Sequence, residues 1–208
     1  MLKFVEKVVG GRRIKRKVIA SAVDYKTAGY FPMDFDDLEP SEYPTAIVAS
    51  SSFPVAFPPT KFKGRELIDG GSVWNLNIIS ALDKCVQLGY ERDEDIVLDV
   101  ILLDPMGIPK LDSTKGLSTK DYYFRYNAIK GQMKAANDIV EFLQSRQSIN
   151  YRYLVFPEVE IMPDWQLLLP TPELETKTIE MGRADAQTSM ALGPGGKFKE
   201  FVNYVSLQ

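Results

Sequence analysis

Apolar positions in this chain fall into short β-branched runs separated by longer stretches with helical spacing. Val18-Ile19-Ala20-Ser21-Ala22-Val23, ending at Asp24, predicts a buried strand. Thr27 to Phe31 predicts a second strand after a turn at Asp24-Tyr25-Lys26. Pro40-Ser41-Glu42 opens a helix over residues 43–50, with Ser41 or Glu42 as its cap. Pro54, Pro58 and Pro59 end that helix in an irregular segment. Residues 61–68 predict a small hairpin turning at Lys63-Gly64. Asn77 is placed to cap a helix over residues 78–88, with Ile79, Leu82, Val86 and Leu88 read as its apolar face and Gly89 just past its end.

The near-continuous apolar run over residues 96–103 predicts a central parallel strand covered on both faces. Residues 122–147 predict a long helix with a break near Gly131, and residues 151–156 a strand stopped by Pro157. Thr171-Pro172-Glu173 opens a helix reaching to Met190, and a Gly193-Pro194-Gly195-Gly196 loop precedes a last helix over 197–205. Residues 111–119 and 157–172 read as exposed loops. This alternation of helices and buried strands implies an α/β fold with a mostly parallel sheet flanked by helices. No shift in composition marks a boundary, so residues 1–208 read as one domain.

Composition narrows the chemistry more than the fold. Hydrophobic residues make up 45% and charged residues 25%, which supports an ordinary packed core. The formal net charge of -3 argues against a general nucleic-acid partner. No run of about 18 apolar residues predicts a transmembrane helix, and the N-terminal residues lack an apolar signal core. The single cysteine, Cys85, leaves neither an internal disulfide nor a cysteine zinc cluster. The expected compartment is cytoplasmic, with peripheral association at membranes. The chain contains no histidine. That removes a Ser-His-Asp triad, a Cys-His dyad and most transition-metal sites. Carboxylates, hydroxyls, lysines and backbone groups are left to do any chemistry, and no metal or cofactor is implied.

Two segments stand out together. The first is Ala49-Ser50-Ser51-Ser52-Phe53-Pro54-Val55-Ala56-Phe57-Pro58-Pro59; the second, ten residues on, is Leu67-Ile68-Asp69-Gly70-Gly71. An aspartate at a strand end followed by two glycines lets the chain turn sharply and lets another backbone approach closely. It leaves a carboxylate at the sheet edge, where it can act as general base toward a hydroxyl. Asp-Gly is also an ordinary turn, and the serine run alone is a helix of small residues. The combination resembles the patatin-like phospholipase family, in which an Ala-Ser-Ser-x-x-Pro-x-x-Phe-Pro-Pro segment precedes a hairpin and an Asp-Gly-Gly or Asp-Gly-Ala motif. Residues 18–24 and Gly29-Tyr30-Phe31 also fit the family's preceding strand and turn. The resemblance is clearest over residues 16–104.

The resemblance implies a serine lipid acyl hydrolase working through a Ser-Asp dyad, with Asp69 as the base and Gly70, Gly71 and Asn75 supporting its motif. The substrate would be a phospholipid, lysophospholipid or other acyl ester. Where relatives continue Asn-Asn-Pro, this chain has Asn75-Leu76-Asn77. The family's G-x-S-x-G nucleophile elbow and Gly-rich oxyanion loop are absent from these residues; Gly71-Ser72 and Gly116-Leu117-Ser118 are not elbows. The fold is therefore expected to lack its N-terminal strands and to present residues 18–23 as an unpaired edge. Another polypeptide or an N-terminal segment is expected to complete the sheet. Alone, the chain is expected to be inactive. The alternatives are a catalytically dead patatin-like subunit with a structural role in a larger assembly, or a lipid-binding module.

Weaker signals accompany the motif. The basic run Arg12-Arg13-Ile14-Lys15-Arg16-Lys17 could meet lipid headgroups or an acidic partner, or simply be a solvated lead-in to the strand. Trp74 and Trp165 could line an acyl pocket or pack structurally. Gly193-Pro194-Gly195-Gly196-Lys197 lacks the strand and spacing of a phosphate loop.

Overall fold

The computed structural model describes residues 1–54, 56–103, 105, 111–158 and 171–206, and the chain divides into two units, Met1–Gly89 and Tyr90–Gln208. In the first unit, helix α1 (Leu2–Val9) precedes strands β1 (Ile19–Asp24) and β2 (Tyr30–Asp34). Helix α2 (Tyr43–Ser50), strands β3 (Thr60–Phe62) and β4 (Arg65–Asp69), and helix α3 (Ile78–Gln87) follow. The strands form one sheet in the order β2-β1-β4-β3, and every neighbouring pair is antiparallel. The expected mostly parallel sheet is corrected here. β1–β2 and β3–β4 are hairpins, and short connections produce antiparallel neighbours, whereas parallel pairing needs a long crossover. The expected free edge at residues 18–23 is also corrected. β1 lies between β2 and β4, with Ala22 opposite Phe31 on one side and Asp69 on the other.

β2 begins three residues later than the hydrophobic pattern predicts, because Asp24 holds the chain in a longer turn. Its Oδ1 accepts the amides of Lys26 (3.0 Å) and Thr27 (3.4 Å), and Ala28 adopts a left-handed φ of 56°. Arg65 Nη1 donates to Asp24 Oδ2 at 2.9 Å and holds that carboxyl below the usual carboxylate range. The second hairpin turns where expected. Lys63 (φ 46°) and Gly64 (φ 75°) are both left-handed, the pattern of a two-residue turn whose twist matches its strands.

α2 spans residues 43–50 as predicted, capped at Glu42 without a side-chain hydrogen bond. Ala46 and Ala49 from α2 join Ala22, Met33, Phe35, Tyr43, Phe62 and Leu67 in the core of this unit. Small residues on α2 let its backbone lie close to the sheet. Asn77 Oδ1 accepts the Ser80 amide (3.1 Å) and starts α3. The inward face of α3 is Ile78 and Leu82, one turn apart; Ile79, Val86 and Leu88 are exposed, which corrects the predicted face. Lys84 joins α3 to the end of β2, its ammonium 2.6 Å from both Asp34 and Asp36.

The second unit carries strand β5 (Val97–Ile101), helix α4 (Thr119–Ser145), strand β6 (Asn150–Val155), and helices α5 (Pro172–Ala191) and α6 (Gly196–Ser206). β5 and β6 pair in parallel, from Val97 opposite Asn150 to Ile101 opposite Val155, with α4 in the crossover. Arg152 Nε donates to Asp99 Oδ1 across the pair at 2.9 Å. β5 is not covered on both faces: Val100 is buried, whereas Val97 and Ile101, on the alternate face, are 49% and 71% exposed. α4 runs through Gly131 unbroken, started by a capping box between Ser118 and Asp121. The predicted loop at 157–172 and Trp165 fall largely or wholly outside the described residues.

Tyr151 links the stability of this unit to alkaline pH. Its hydroxyl is shared between the carbonyls of Arg146 (2.9 Å) and Phe142 (3.3 Å). Burial, with Asp93 adding to it, pushes the hydroxyl up to about 12. The neutral form is favoured in the fold, so this contribution is present below the ordinary value of 10.0 and is lost as pH rises from there to about 12. Unfolding followed by near-UV circular dichroism should show stability falling across that window, with Tyr151→Phe flattening the fall.

Candidate active site

Asp69 is the last residue of β4 and the first of a sharp turn. Its backbone is extended (φ -48°, ψ 127°), and its Oδ1 accepts the Gly71 amide at 2.7 Å, starting a single 3-10 turn over Gly70–Ser72. The Asp69 amide donates to the Ser52 carbonyl at 3.0 Å. The two segments singled out in the sequence therefore meet in space, through a backbone hydrogen bond from the Asp-Gly-Gly turn to the serine run. Val55, within the first segment, lies outside the described residues.

Ser52 is fixed from three sides. It is 1% exposed; its hydroxyl donates to the Val48 carbonyl (2.7 Å) and lies 2.7 Å from Thr60 Oγ1. Ser51 makes the equivalent bond to Ile47 (3.0 Å). The serine run thus closes the end of α2 by bonding back to carbonyls four residues earlier. Ser52 also couples that helix end to both β3 and β4. Ser52→Ala would take a partner from the part-buried Thr60 hydroxyl, with an expected loss of about 1 kcal/mol of unfolding free energy in denaturant titration.

The two glycines serve different needs. A Cβ at Gly70 would lie 2.5 Å from the Ser21 carbonyl oxygen and 2.9 Å from its hydroxyl. Only a residue without a side chain lets the turn sit against β1. A Cβ at Gly71 would lie 2.8 Å from Asn75 Oδ1 and 3.2 Å from Asp69 Oδ1. The side chains of Asp69 and Asn75 therefore converge on the space over Gly71, so the predicted site residues Asp69, Gly70, Gly71 and Asn75 are brought together. Burial raises the Asp69 carboxyl above its ordinary value, and the Gly71 amide opposes that shift. A half-buried carboxylate of raised basicity is suited to accept a proton from a hydroxyl.

Three contributors escaped the sequence reading: Ser52, Ser21 and Tyr30. The Tyr30 hydroxyl donates to the Trp74 carbonyl (3.4 Å), the two rings lie 5.4 Å apart, and burial raises the Tyr30 hydroxyl while Ser21 lowers it. Tyr30 and Ser21 brace the turn after Asp69 from β2 and β1. Their sequence signal was membership of predicted strands and of the stretches that resemble the family's strand and turn. Trp74 packs on Tyr30. A pocket of about 350 Å³ is lined by Tyr25, Pro54, Ala56, Phe57, Pro59 and Ile68, among others. Side chains alternate along β4, so Ile68 faces away from the side of Leu67 and Asp69, and the pocket belongs to the other face.

Among the described residues no group of three or more acidic or cysteine side chains is placed to share a metal ion. No helix among them is long and apolar enough to cross a membrane. No curated protein matches the chain. Residues 2–82 match the family described as Patatin-like phospholipase, a span that begins before and ends short of the 16–104 resemblance and covers less than half of the chain. The segment from α1 into α3 that holds Asp69, Gly70, Gly71 and Asn75 is thus similar to patatin-like phospholipases.

Proposed function

We propose that this chain is part of a lipid acyl hydrolase in which Asp69 is the general base of a Ser-Asp dyad and the serine is supplied outside these residues. The observation that carries this reading is the Asp69 turn: a partly desolvated carboxylate, oriented by Gly71 and tied through its amide to Ser52, within a patatin-like segment. The serine hydroxyl attacks the ester carbonyl as Asp69 takes its proton. Asp69 returns that proton to the departing alcohol, leaving an acyl-serine. Water then attacks the acyl group, Asp69 again accepts the proton, and the fatty acid leaves as the serine is re-protonated. A carboxylate does this directly, consistent with a chain that has no histidine.

The absence of G-x-S-x-G within these 208 residues favours one alternative, a patatin-like subunit with a structural role. Joining the chain to a segment bearing the elbow, then assaying release of fatty acid from lysophospholipid, decides between them. Turnover by the joined protein, with none by the 208-residue chain, supports the dyad. A folded joined protein that never turns over would leave the structural role standing.

A further inference from the structure

The N-terminal helix and the basic run behind it have no part in the Asp69 site. α1 packs along α2, and Val5 and Val9, one turn apart, are half-buried. No residue of α1 is buried. Phe4 and Val8, also one turn apart, form a separate row that is 70% and 44% exposed. On a 3.6-residue helix this row lies between Val5 and Val9 on one side and the exposed Lys3 and Lys7 on the other. The outer surface of α1 is therefore an apolar row bordered by two ammonium groups.

The basic run is held beside it. The Gly10 amide bonds the Glu6 carbonyl (2.8 Å) and the Arg12 amide bonds the Val9 carbonyl (3.1 Å), so the chain turns tightly at the end of α1. Ile14 and Val18 then pack against the core of the unit. Arg12, Arg13, Lys15, Arg16 and Lys17 are exposed around these anchors. Residues 1–17 contain seven basic residues and one acidic, a net of +6, against -9 for the remainder of the chain. Among the described residues, Lys17 is the one of those seven cations in an ion pair, with Asp36. Cations needed only for solubility would be spread among the carboxylates that dominate the chain. Here they are collected around exposed Phe4 and Val8.

We propose that α1 and the following basic run form a docking surface for an anionic lipid bilayer: Phe4 and Val8 enter the headgroup boundary while Lys3, Lys7, Arg12, Arg13, Lys15 and Arg16 meet anionic headgroups. Apolar anchors and nearby cations supply the two kinds of attraction that hold a surface helix at a charged membrane. This surface stands independently of the dyad, since it needs no serine and no turnover.

Co-sedimentation of the 208-residue chain with vesicles tests it. Binding is expected to phosphatidylcholine vesicles containing phosphatidylserine, to weaken as sodium chloride is added, and to be at least tenfold weaker on phosphatidylcholine alone. Removing two cations in an Arg12→Ala, Arg13→Ala double variant should weaken binding by about twentyfold. Phe4→Ser should weaken it by about tenfold. These positions are exposed, so both variants should keep the far-UV circular dichroism of the parent. No binding to either vesicle, equal binding to both, or unchanged binding by either variant would overturn the proposal. So would capture by heparin without vesicle binding, which would assign the basic run to a soluble polyanion.

Discussion

Asp69→Asn, placed in the chain joined to its serine-bearing segment, is expected to lower ester turnover by about 100- to 10,000-fold, the range for loss of a positioned general base. The same change is expected to raise, not lower, the thermal midpoint. Burial raises the Asp69 carboxyl, so the folded state holds its proton more tightly than the unfolded chain does. Stability from that group is greatest at low pH and is lost as pH rises past its unfolded value to its raised folded value. At neutral pH the charge is a net cost, which asparagine removes while keeping an oxygen to accept the Gly71 amide. Asp69→Ala also loses the charge but leaves the turn uncapped, and should fall about 1 kcal/mol below Asp69→Asn. An aspartate whose charge stabilised the fold would give the opposite order for parent and asparagine variant. Full turnover by the asparagine variant would end the dyad assignment. The acid limb of the pH–rate profile should lie above the ordinary aspartate value of 3.8.

Gly70→Ala is expected to cost about 1–3 kcal/mol, the usual penalty of forcing an added carbon into a packed site. The obstacle is backbone: the new Cβ would sit 2.5 Å from the Ser21 carbonyl oxygen and 2.8 Å from its carbon, in one of the two central strands of the sheet. Either β1 or the turn must move. Gly71→Ala is the informative control. Its Cβ would meet side-chain atoms of Asn75 and Asp69, which can rotate away. It should unfold closer to the parent in denaturant while displacing the carboxylate, so its loss should appear in turnover rather than in stability. Equal destabilisation by the two alanines would contradict this division.

The elements that were legible in the sequence are those with local causes. Asn77 could be read as a cap because an asparagine side chain competes for free amides at a helix start, and Lys63-Gly64 as a turn because the hairpin needs two left-handed residues. The pairing of β3 with β4 was legible as a hairpin, but the neighbours of β1 were not. The run at 18–23 carries the same small and β-branched residues whether its neighbours run parallel or antiparallel. The exposed face of β5 was hidden for a similar reason: an unbroken apolar run states hydrophobicity, not coverage. At the site, Asp69, Gly70 and Gly71 stood out because an aspartate before two glycines constrains the backbone. Ser52 did not, since its contribution to Asp69 is made by a carbonyl, which every residue possesses.

The seam between the two hairpins has a consequence for how this unit opens. β1 and β2 share five register pairs, from Ile19 to Val23, whereas β1 and β4 share three, from Ala22 to Asp24. The hairpin partners are close in sequence, but Ala22 and Asp69 are 47 positions apart and must close a long loop to meet. The expected order of assembly is hairpins first and seam last, with the seam parting first under native fluctuations. Amide exchange at the Val23–Ile68 pair across the seam should then report this sub-global opening, running faster than exchange in the interior of the β1–β2 hairpin. The carboxylate would be the most recently assembled feature of its unit, and a ligand that bridged β1 to the Asp69 turn would slow that exchange without touching either hairpin.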